Sequence, residues 1–239
     1  MPAPDKNPAR ISGMFDSIAP RYDLLNRVLS AGLDQKWRKR AIEALGLGPR
    51  PAVLDLCTGT ADLALAALQR HPDADVVGVD FSGAMLRLGL VKVRSAGRER
   101  VIRLVRGDAT KIPLPDRSRD AATIGFGIRN VAEPGLALAE LARVLKPGGR
   151  LAILEFGHPR IPGIRTLYLW YFKYLLPAIG KLVSRHGSAY SYLPASVGTF
   201  PPPAEFARFI ESHGFVKVEA VPLTFGIVYL YIATRRAPV

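Results

Sequence analysis

Short apolar runs alternate along the chain with segments of helical period. Five apolar runs have the length of buried strands: 51–57, 75–80, 101–109, 121–128 and 150–156. Three intervening segments repeat apolar positions every three or four residues, as amphipathic helices do: 61–70, 82–97 and 134–149. Strands that alternate with helices predict an α/β domain, with a mostly parallel sheet and helices on both of its faces.

The N-terminal part has a different pattern. Residues 1–10 are polar and hold three prolines, which predicts a flexible tail. Residues 11–48 have helical spacing with a break near Gly32, and predict a helical cap. We expect residues 11–239 to form a single domain.

The C-terminal part also departs from the alternation. Residues 157–202 hold an aromatic and basic stretch, which predicts a helical insertion or lid. Residues 202–215 then return to helical spacing, closed by Gly214. Two further strands, FVKVEAVPL and GIVYLYIATR, predict an antiparallel pair at the C-terminal edge of the sheet.

Composition narrows the class of protein. The net charge of +13 favours an acidic partner: nucleic acid, anionic lipid or an anionic ligand. A single cysteine, Cys57, rules out an intramolecular disulfide, and the four histidines have no metal-ligand spacing, so we expect no metal. No secretory signal or long apolar span is visible. The expected compartment is the cytoplasm, with peripheral contact at the inner face of the cytoplasmic membrane left open.

Candidate binding groups fall at the ends of successive strands. Gly59 and Thr60 lie in a small-residue loop before a helix N-terminus, which suits the approach of a ligand carboxylate. Asp80 follows Gly59 by 21 residues and suits the two hydroxyls of a ribose. Asp108 suits an adenine amine, and Ala109 leaves room for the ring.

These features have alternative interpretations. The loop at Gly59 is explained equally by a tight strand–helix turn without a ligand. Asp80 is explained by helix capping, because Ser82 follows it at the start of a helical segment. A nicotinamide dinucleotide contains ribose and adenine too, but its G-x-G-x-x-G loop is absent. A fourth feature, GFGIRN from Gly125, follows the fourth strand. Together with the loop at Gly59, Asp80 and Asp108, it makes four features in order at successive strand ends, which favours S-adenosylmethionine.

The motifs themselves resemble a known family. VLDLCTGTADLA, VGVDFSGAML, GDATKIPLPD, GFGIRNV and RVLKPGGRLAILEF resemble the successive motifs of class I methyltransferases, which have a Rossmann-like sheet. MFDSIAPRYDLLNRVLSAGLDQKWRKRAI, FGIRNV and YSYLPASVGTFPPPAEF resemble the narrower ubiquinone/menaquinone C-methyltransferase family. The resemblance extends over roughly residues 12–234.

The resemblance implies an activity and a set of donor-binding positions. Thr60, Asp80, Asp108 and Ala109 match the donor-binding positions of the family, and Gly125 stands where relatives often carry a serine that touches the donor. Relatives methylate a ring carbon of demethylmenaquinol, or of the polyprenyl methoxybenzoquinol precursor of ubiquinone. We expect demethylmenaquinol to be the substrate.

Methylation of a ring carbon requires that a neighbouring phenol, of pKa ~10 by analogy with tyrosine, lose its proton. We assign Arg129 to stabilising the phenolate through an ordered water, Asn130 to orienting the ring, and Tyr22 to closing the pocket. The alternatives are that Arg129 is a surface residue or an ion-pair partner, and that His158 is the base.

Other partners and functions remain open at this point. The aromatic–basic residues 161–186 and the cations of 87–106 suit contact with an anionic membrane, although a core-packed cap and a solvated helix explain them too. The charge also suits an RNA methyltransferase, but we find no base-handling motif and expect no nucleic-acid partner. A donor-binding scaffold without activity and a homo-oligomer are both compatible with the sequence.

Overall fold

The computed structural model describes residues 5–157 and 188–237 and, between these ranges, residues 159, 161, 163, 166 and 170. The strands are β1 Ala52–Leu56, β2 Asp75–Asp80, β3 Ile102–Arg106, β4 Arg119–Gly125, β5 Leu145–Phe156, β6 Phe215–Leu223 and β7 Val228–Arg235. The helices of the described residues are α1 Pro8–Leu29, α2 Leu33–Ala44, α3 Asp62–Arg70, α4 Gly83–Ser95, α5 Pro134–Val144, α6 Ser188–Gly198 and α7 Pro203–Glu211.

The seven strands form one sheet in the order β3-β2-β1-β4-β5-β7-β6. All neighbours from β3 to β5 are parallel, and β7 runs antiparallel to both β5 and β6. The predicted mostly parallel sheet with an antiparallel strand at its C-terminal edge is therefore confirmed, with β7 one position inside the edge. The strand order reverses between β1 and β4, which opens a crevice at their carboxyl ends.

Each face of the sheet carries its own hydrophobic core. Leu138 and Leu141 of α5 pack with Phe206 of α7 on one face. Trp37 and Ile42 of α2 pack with residues of α3 and α4 on the other. Buried aliphatic residues of the strands complete both cores. Because the sheet is packed on both faces, it is a rigid support for the loops at its carboxyl ends.

The N-terminal cap consists of two helices, as the pattern predicted. Asn7 caps α1, because its side-chain oxygen accepts from the N–H of Ala9 at 3.0 Å, and Pro8 occupies the first turn. The helix thus begins inside the segment expected to be a tail. The predicted break falls at Gly32, whose φ of +77° separates α1 from α2.

The prediction for the fifth strand needs a correction. We expected a helix through Gly149, but α5 ends at Val144 and β5 begins at Leu145. Leu145 pairs with Arg119 and Arg150 with Ala121, so the residues between them bulge out of the register. The left-handed φ of +77° at Gly148 permits this bulge, which helical periodicity does not reveal.

Most of the expected insertion, residues 157–202, lies outside the described residues, including His158 and, apart from Trp170, the aromatic–basic stretch 167–174. Its last helix, α6, is described. Within the part of the chain that the structure describes, every helix is too short or too polar to cross a membrane.

Candidate functional site

A cavity of about 300 Å³ lies at the carboxyl ends of the central strands, beneath α1. Its walls come from α1, from the loops after β1, β2 and β3, and from the turn after β4. Seven of the residues predicted from the sequence line it: Tyr22, Gly59, Asp80, Asp108, Ala109, Gly125 and Asn130. The strand ends that carry the predicted binding residues therefore converge on one cavity.

The two loops at the strand-order reversal turn sharply. Cys57 and Phe126 follow β1 and β4 directly and have left-handed φ values of +55° and +57°. Such values cost of order 1 kcal/mol or more in a residue other than glycine, and they cluster at functional sites. Gly59 has φ +56°, and a Cβ placed there would meet no atom within 4 Å. The backbone at Gly59 is thus open to close approach by a ligand.

Asp80 ends β2 with its carboxylate held by the backbone. Its Oδ2 accepts from the N–H of Gly59 at 2.8 Å, and its Oδ1 accepts from the N–H of Ser82 at 2.8 Å. Burial raises the pKa of Asp80, while these two backbone bonds oppose the rise. Each oxygen retains acceptor capacity, so the carboxylate is arranged to receive two hydroxyl donors from one side.

Asp108 presents a second carboxylate to the cavity. Its Oδ1 accepts from both the N–H and the hydroxyl of Thr110, each at 2.8 Å, which fixes the side chain. Ala109 beside it has no side chain beyond Cβ, and Phe81 adds a partly exposed aromatic ring to the lining. A carboxylate and an aromatic ring in one cavity suit a flat heterocycle that carries an amine.

Thr60 lies outside the cavity lining. Its hydroxyl donates to Asp23 of α1 at 2.5 Å, and Lys92 of α4 donates to both residues, at 3.2 Å to Thr60 and 2.8 Å to Asp23. Thr60 therefore ties the loop after β1 to the cap. Its predicted direct contact with the donor remains a prediction.

Helix α1 covers the cavity and is fastened at two points in its middle. Asp16 accepts from the hydroxyl of Ser82 at 2.5 Å, and Asp23, two turns later, accepts from Lys92 and Thr60. Phe15 and Tyr22, seven residues apart on one face, meet edge to face with ring centroids 6.1 Å apart. Burial raises the pKa of Tyr22, so its hydroxyl stays protonated and is able to donate.

Arg129 also lies outside the cavity lining. Its Nη1 donates to Oε1 of the fully buried Glu155 at 2.7 Å and to the carbonyl of Phe126 at 2.5 Å. Its guanidinium carbon lies 5.2 Å from the centroid of the Phe156 ring. The ion-pair alternative raised from the sequence is thus observed, and the predicted contact with a phenolate remains a prediction.

Asn130 faces the cavity from the short 3-10 turn Ile128–Asn130. Its amide nitrogen donates to the carbonyl of Phe126 at 3.4 Å, and its oxygen accepts from the hydroxyl of Tyr192 at 3.1 Å. These two bonds fix which way the amide points. Tyr192 belongs to α6, so the insertion helps to position a residue of the cavity wall.

Three contributors were missed at the sequence level: Glu155, Asp16 and Tyr192. A glutamate inside the apolar run RLAILEF was a usable signal, because a buried carboxylate requires a cationic partner. Tyr192 lies in the segment YSYLPASV that carried the family resemblance, but the resemblance assigned it no role. For Asp16 the sequence carried no signal, since its partner Ser82 is 66 residues away.

Comparison with known proteins decides the family. The family model described as the ubiE/COQ5 methyltransferase family matches residues 4–235. The chain belongs to the ubiE/COQ5 methyltransferase family. It uses S-adenosylmethionine as methyl donor. The cavity fits that molecule, because the loop at Gly59 and the carboxylates of Asp80 and Asp108 follow successive strands and all line the cavity.

Curated relatives of this methyltransferase match it over more than nine-tenths of its length. The ubiquinone/menaquinone biosynthesis C-methyltransferase of Syntrophotalea carbinolica is 48% identical over 225 residues, which cover 94% of each chain. The demethylmenaquinone methyltransferase of Deinococcus radiodurans is 46% identical, with 97% of this chain and 95% of that protein covered. That of Thermus thermophilus is also 46% identical, with 93% and 100% covered.

Solved structures agree on the fold. A SAM-dependent methyltransferase from Aquifex aeolicus is 20% identical with a TM-score of 0.60, covering 96% of this methyltransferase and 97% of that chain. The [4+2]-cyclase SpnF is 18% identical with a TM-score of 0.65, covering 100% and 99%. A fold shared with a cyclase shows the architecture alone, so the reaction must be argued from the site.

Proposed function

We propose that this methyltransferase transfers the methyl group of S-adenosylmethionine to a ring carbon of a polyprenyl quinol, with demethylmenaquinol as the substrate. One observation carries the proposal: Tyr22 and Asn130, two neutral hydrogen-bonding groups, line the same cavity as the donor-binding carboxylates. The names of the Deinococcus radiodurans and Thermus thermophilus relatives support the choice of naphthoquinol.

When bound, the donor supplies an electrophilic methyl group on a sulfonium, so the protein has to align the acceptor and exclude water. Apolar side chains of α1 and of the turn after β4, such as Ile11, Phe15 and Val131, form much of the remaining wall. Such a wall suits a quinol ring. The cap, fastened through Asp16 and Asp23, keeps solvent from the wall that it covers.

Loss of the phenolic proton raises the electron density of the ring carbon next to it. Asn130 and Tyr22 are the groups placed to hold the quinol hydroxyl, since both reach the cavity and both are able to donate a hydrogen bond. Arg129 acts one layer behind them. Because Glu155 compensates its charge, we assign Arg129 to holding the turn that carries Asn130.

The benzoquinol precursor of ubiquinone is the second candidate, favoured by the double name of the Syntrophotalea carbinolica relative. The test uses the purified chain in detergent with methyl-labelled donor and each demethylated quinol separately. We expect label on a ring carbon of the naphthoquinol, at a higher kcat/KM than for the benzoquinol. Label on a hydroxyl oxygen, or transfer to neither quinol, contradicts the proposal.

Asn130→Ala is the matched variant for this test. It should lower turnover while the affinity for donor stays within about twofold, because the proposed role of Asn130 is to hold the quinol hydroxyl. Equal losses of turnover and donor affinity would show that Asn130 serves the donor site instead.

A further inference from the structure

Large aliphatic side chains stand exposed on the outer side of α1 and α4. Leu24 and Val28 of α1 are 60% and 53% exposed, and Val91 of α4 is 59% exposed. Leu24 and Val28 are four residues apart and share one side of α1. At about 100° per residue, that side is opposite the one from which Phe15 and Tyr22 line the cavity.

The two helices run side by side in the same direction. Asp16 accepts from the N–H of Ala84 near the start of α4 at 3.2 Å, and Asp23 pairs with Lys92 two turns later at 2.8 Å. Because the contacts advance together along both helices, their outward sides join into one surface. We call it the α1–α4 face and define it by its exposed members: Leu24, Arg27, Val28, Arg87, Val91 and Arg94.

This face is cationic around an apolar centre. The only acids within α1 are Asp16 and Asp23, α4 contains none, and both acids turn into the seam between the helices. Arg87, Val91 and Arg94 follow a helical spacing of four and three, so the two arginines flank the valine on one side of α4. Arg27 stands on the α1 half.

We propose that the α1–α4 face docks on the surface of a phospholipid bilayer that contains anionic headgroups. Its aliphatic side chains enter the boundary between headgroups and acyl chains, and its arginines meet the lipid phosphates. The biological reason for docking rests on the proposed function, since a polyprenyl quinol is dissolved in the bilayer. The binding itself does not require that function.

Charge and chemistry favour a membrane over other occupants. Nucleic acid complements the arginines, but unstacked bases bind aromatic side chains, and the defined members of this face are aliphatic or basic. In a two-fold dimer the face would meet its own copy and oppose arginine to arginine. A surface that is both anionic and partly apolar complements the arginines and the aliphatic side chains together.

Docking in this way has a geometric consequence for the site. Because α1 presents the face on one side and lines the cavity on the other, the cavity would lie one helix diameter, about 10 Å, from the membrane surface. A quinol ring lifted from the bilayer then has a distance of about one helix diameter to cover before it reaches the cavity. The cap is thus placed to serve as both cover and membrane anchor.

The test is flotation of the full chain with vesicles of equal parts phosphatidylglycerol and phosphatidylcholine, compared with phosphatidylcholine alone. The wild type should bind the anionic vesicles and lose binding in high salt. Leu24→Gln combined with Val28→Gln should weaken the partition coefficient roughly tenfold or more, because apolar burial is removed. Leu24→Ile with Val28→Ile keeps the apolar area and should bind as the wild type does.

A second pair of variants tests the charge. Arg27→Gln with Arg94→Gln should weaken binding by about fivefold for each cation. Arg100→Gln with Arg117→Gln removes the same charge from loops at the amino-terminal edge of the sheet and should leave binding nearly unchanged. Equal losses in both charge pairs, unaltered binding in the face variants, or binding to RNA but not to vesicles would each overturn the proposal.

Methyl transfer to detergent-solubilised quinol separates this inference from the proposed function. Variants of the α1–α4 face should retain that activity, which also shows that they fold. Vesicle binding without methyl transfer to any quinol would refute the proposed function and leave the docking surface standing. If the chain methylates a quinol but the variants of the α1–α4 face bind vesicles as the wild type does, the docking surface is refuted and the proposed function stands.

Discussion

Arg129 and Glu155 form a buried ion pair directly behind the wall of the donor cavity. The bond from Nη1 to Oε1 is 2.7 Å, and the two side chains are 8% and 0% exposed. Glu155 Oε2 also accepts from the backbone N–H of Arg129 at 3.3 Å. Because each charge is compensated where water is excluded, the pair fixes the end of β5 to the turn after β4, which carries Asn130.

The first prediction concerns the stability of this pair. Arg129→Ala should lower the free energy of unfolding by about 3–5 kcal/mol, because it leaves the carboxylate of Glu155 buried without a partner. Urea unfolding measures the loss. Arg129→Met combined with Glu155→Leu removes both charges and should recover most of that stability. A loss below about 1 kcal/mol for Arg129→Ala would mean that Glu155 is solvated or protonated.

The second prediction concerns Tyr192, which donates to Asn130 at 3.1 Å. Tyr192→Phe removes one hydroxyl and should lower kcat by about two- to tenfold, the range expected for one hydrogen bond, with donor affinity unchanged. In the Asn130→Ala background the same substitution should have almost no further effect on kcat. Additive losses in the double variant would show that Tyr192 acts independently of Asn130.

The third prediction concerns Asp55, which is 1% exposed within β1 and accepts from the hydroxyls of Thr58 at 2.6 Å and Thr123 at 2.8 Å. Burial raises its pKa from 3.8 to about 6. A folded-state pKa above the unfolded one stabilises the fold fully below pH 3.8, and this contribution is lost as the pH rises through about 6.

Asp55→Asn provides the comparison, because asparagine does not ionise. The stability of the wild type relative to this variant should fall by roughly 2–3 kcal/mol as the pH is raised from about 4 to 7. Urea unfolding at several pH values measures the difference. A difference that is constant with pH, or that increases with it, would show that the folded-state pKa of Asp55 is not raised.

Much of the fold was predictable because it depends on local pattern. Strands β1 and β2 and helix α4 with its Ser82 cap follow from apolar periodicity and capping chemistry. The place of Asp80, Asp108 and Gly125 on one cavity wall follows from the rule that parallel sheets bind ligands at their carboxyl ends. These inferences required only the order of elements along the chain.

What the sequence could not supply depends on contacts between distant segments. Arg129 has the same local sequence whether its guanidinium meets a ligand or Glu155, and only the register of β5 beside β4 decides between them. The bond from the hydroxyl of Thr60 to Asp23, 37 residues earlier, likewise has no signal in the local sequence. The bulge between Leu145 and Arg150 arises from pairing with β4, which no helical period encodes.

The affinity of the Asp80→Ala variant for S-adenosylmethionine tests whether the carboxylate of Asp80 binds the ribose hydroxyls of the donor. Isothermal calorimetry should show at least about a hundredfold loss, because two hydroxyl bonds to a charged acceptor contribute about 1.5–3 kcal/mol each. Asp116→Ala, which changes an exposed carboxylate in the loop before β4, is the matched control and should bind normally. Unchanged affinity in a folded Asp80→Ala protein would show that Asp80 does not bind the donor.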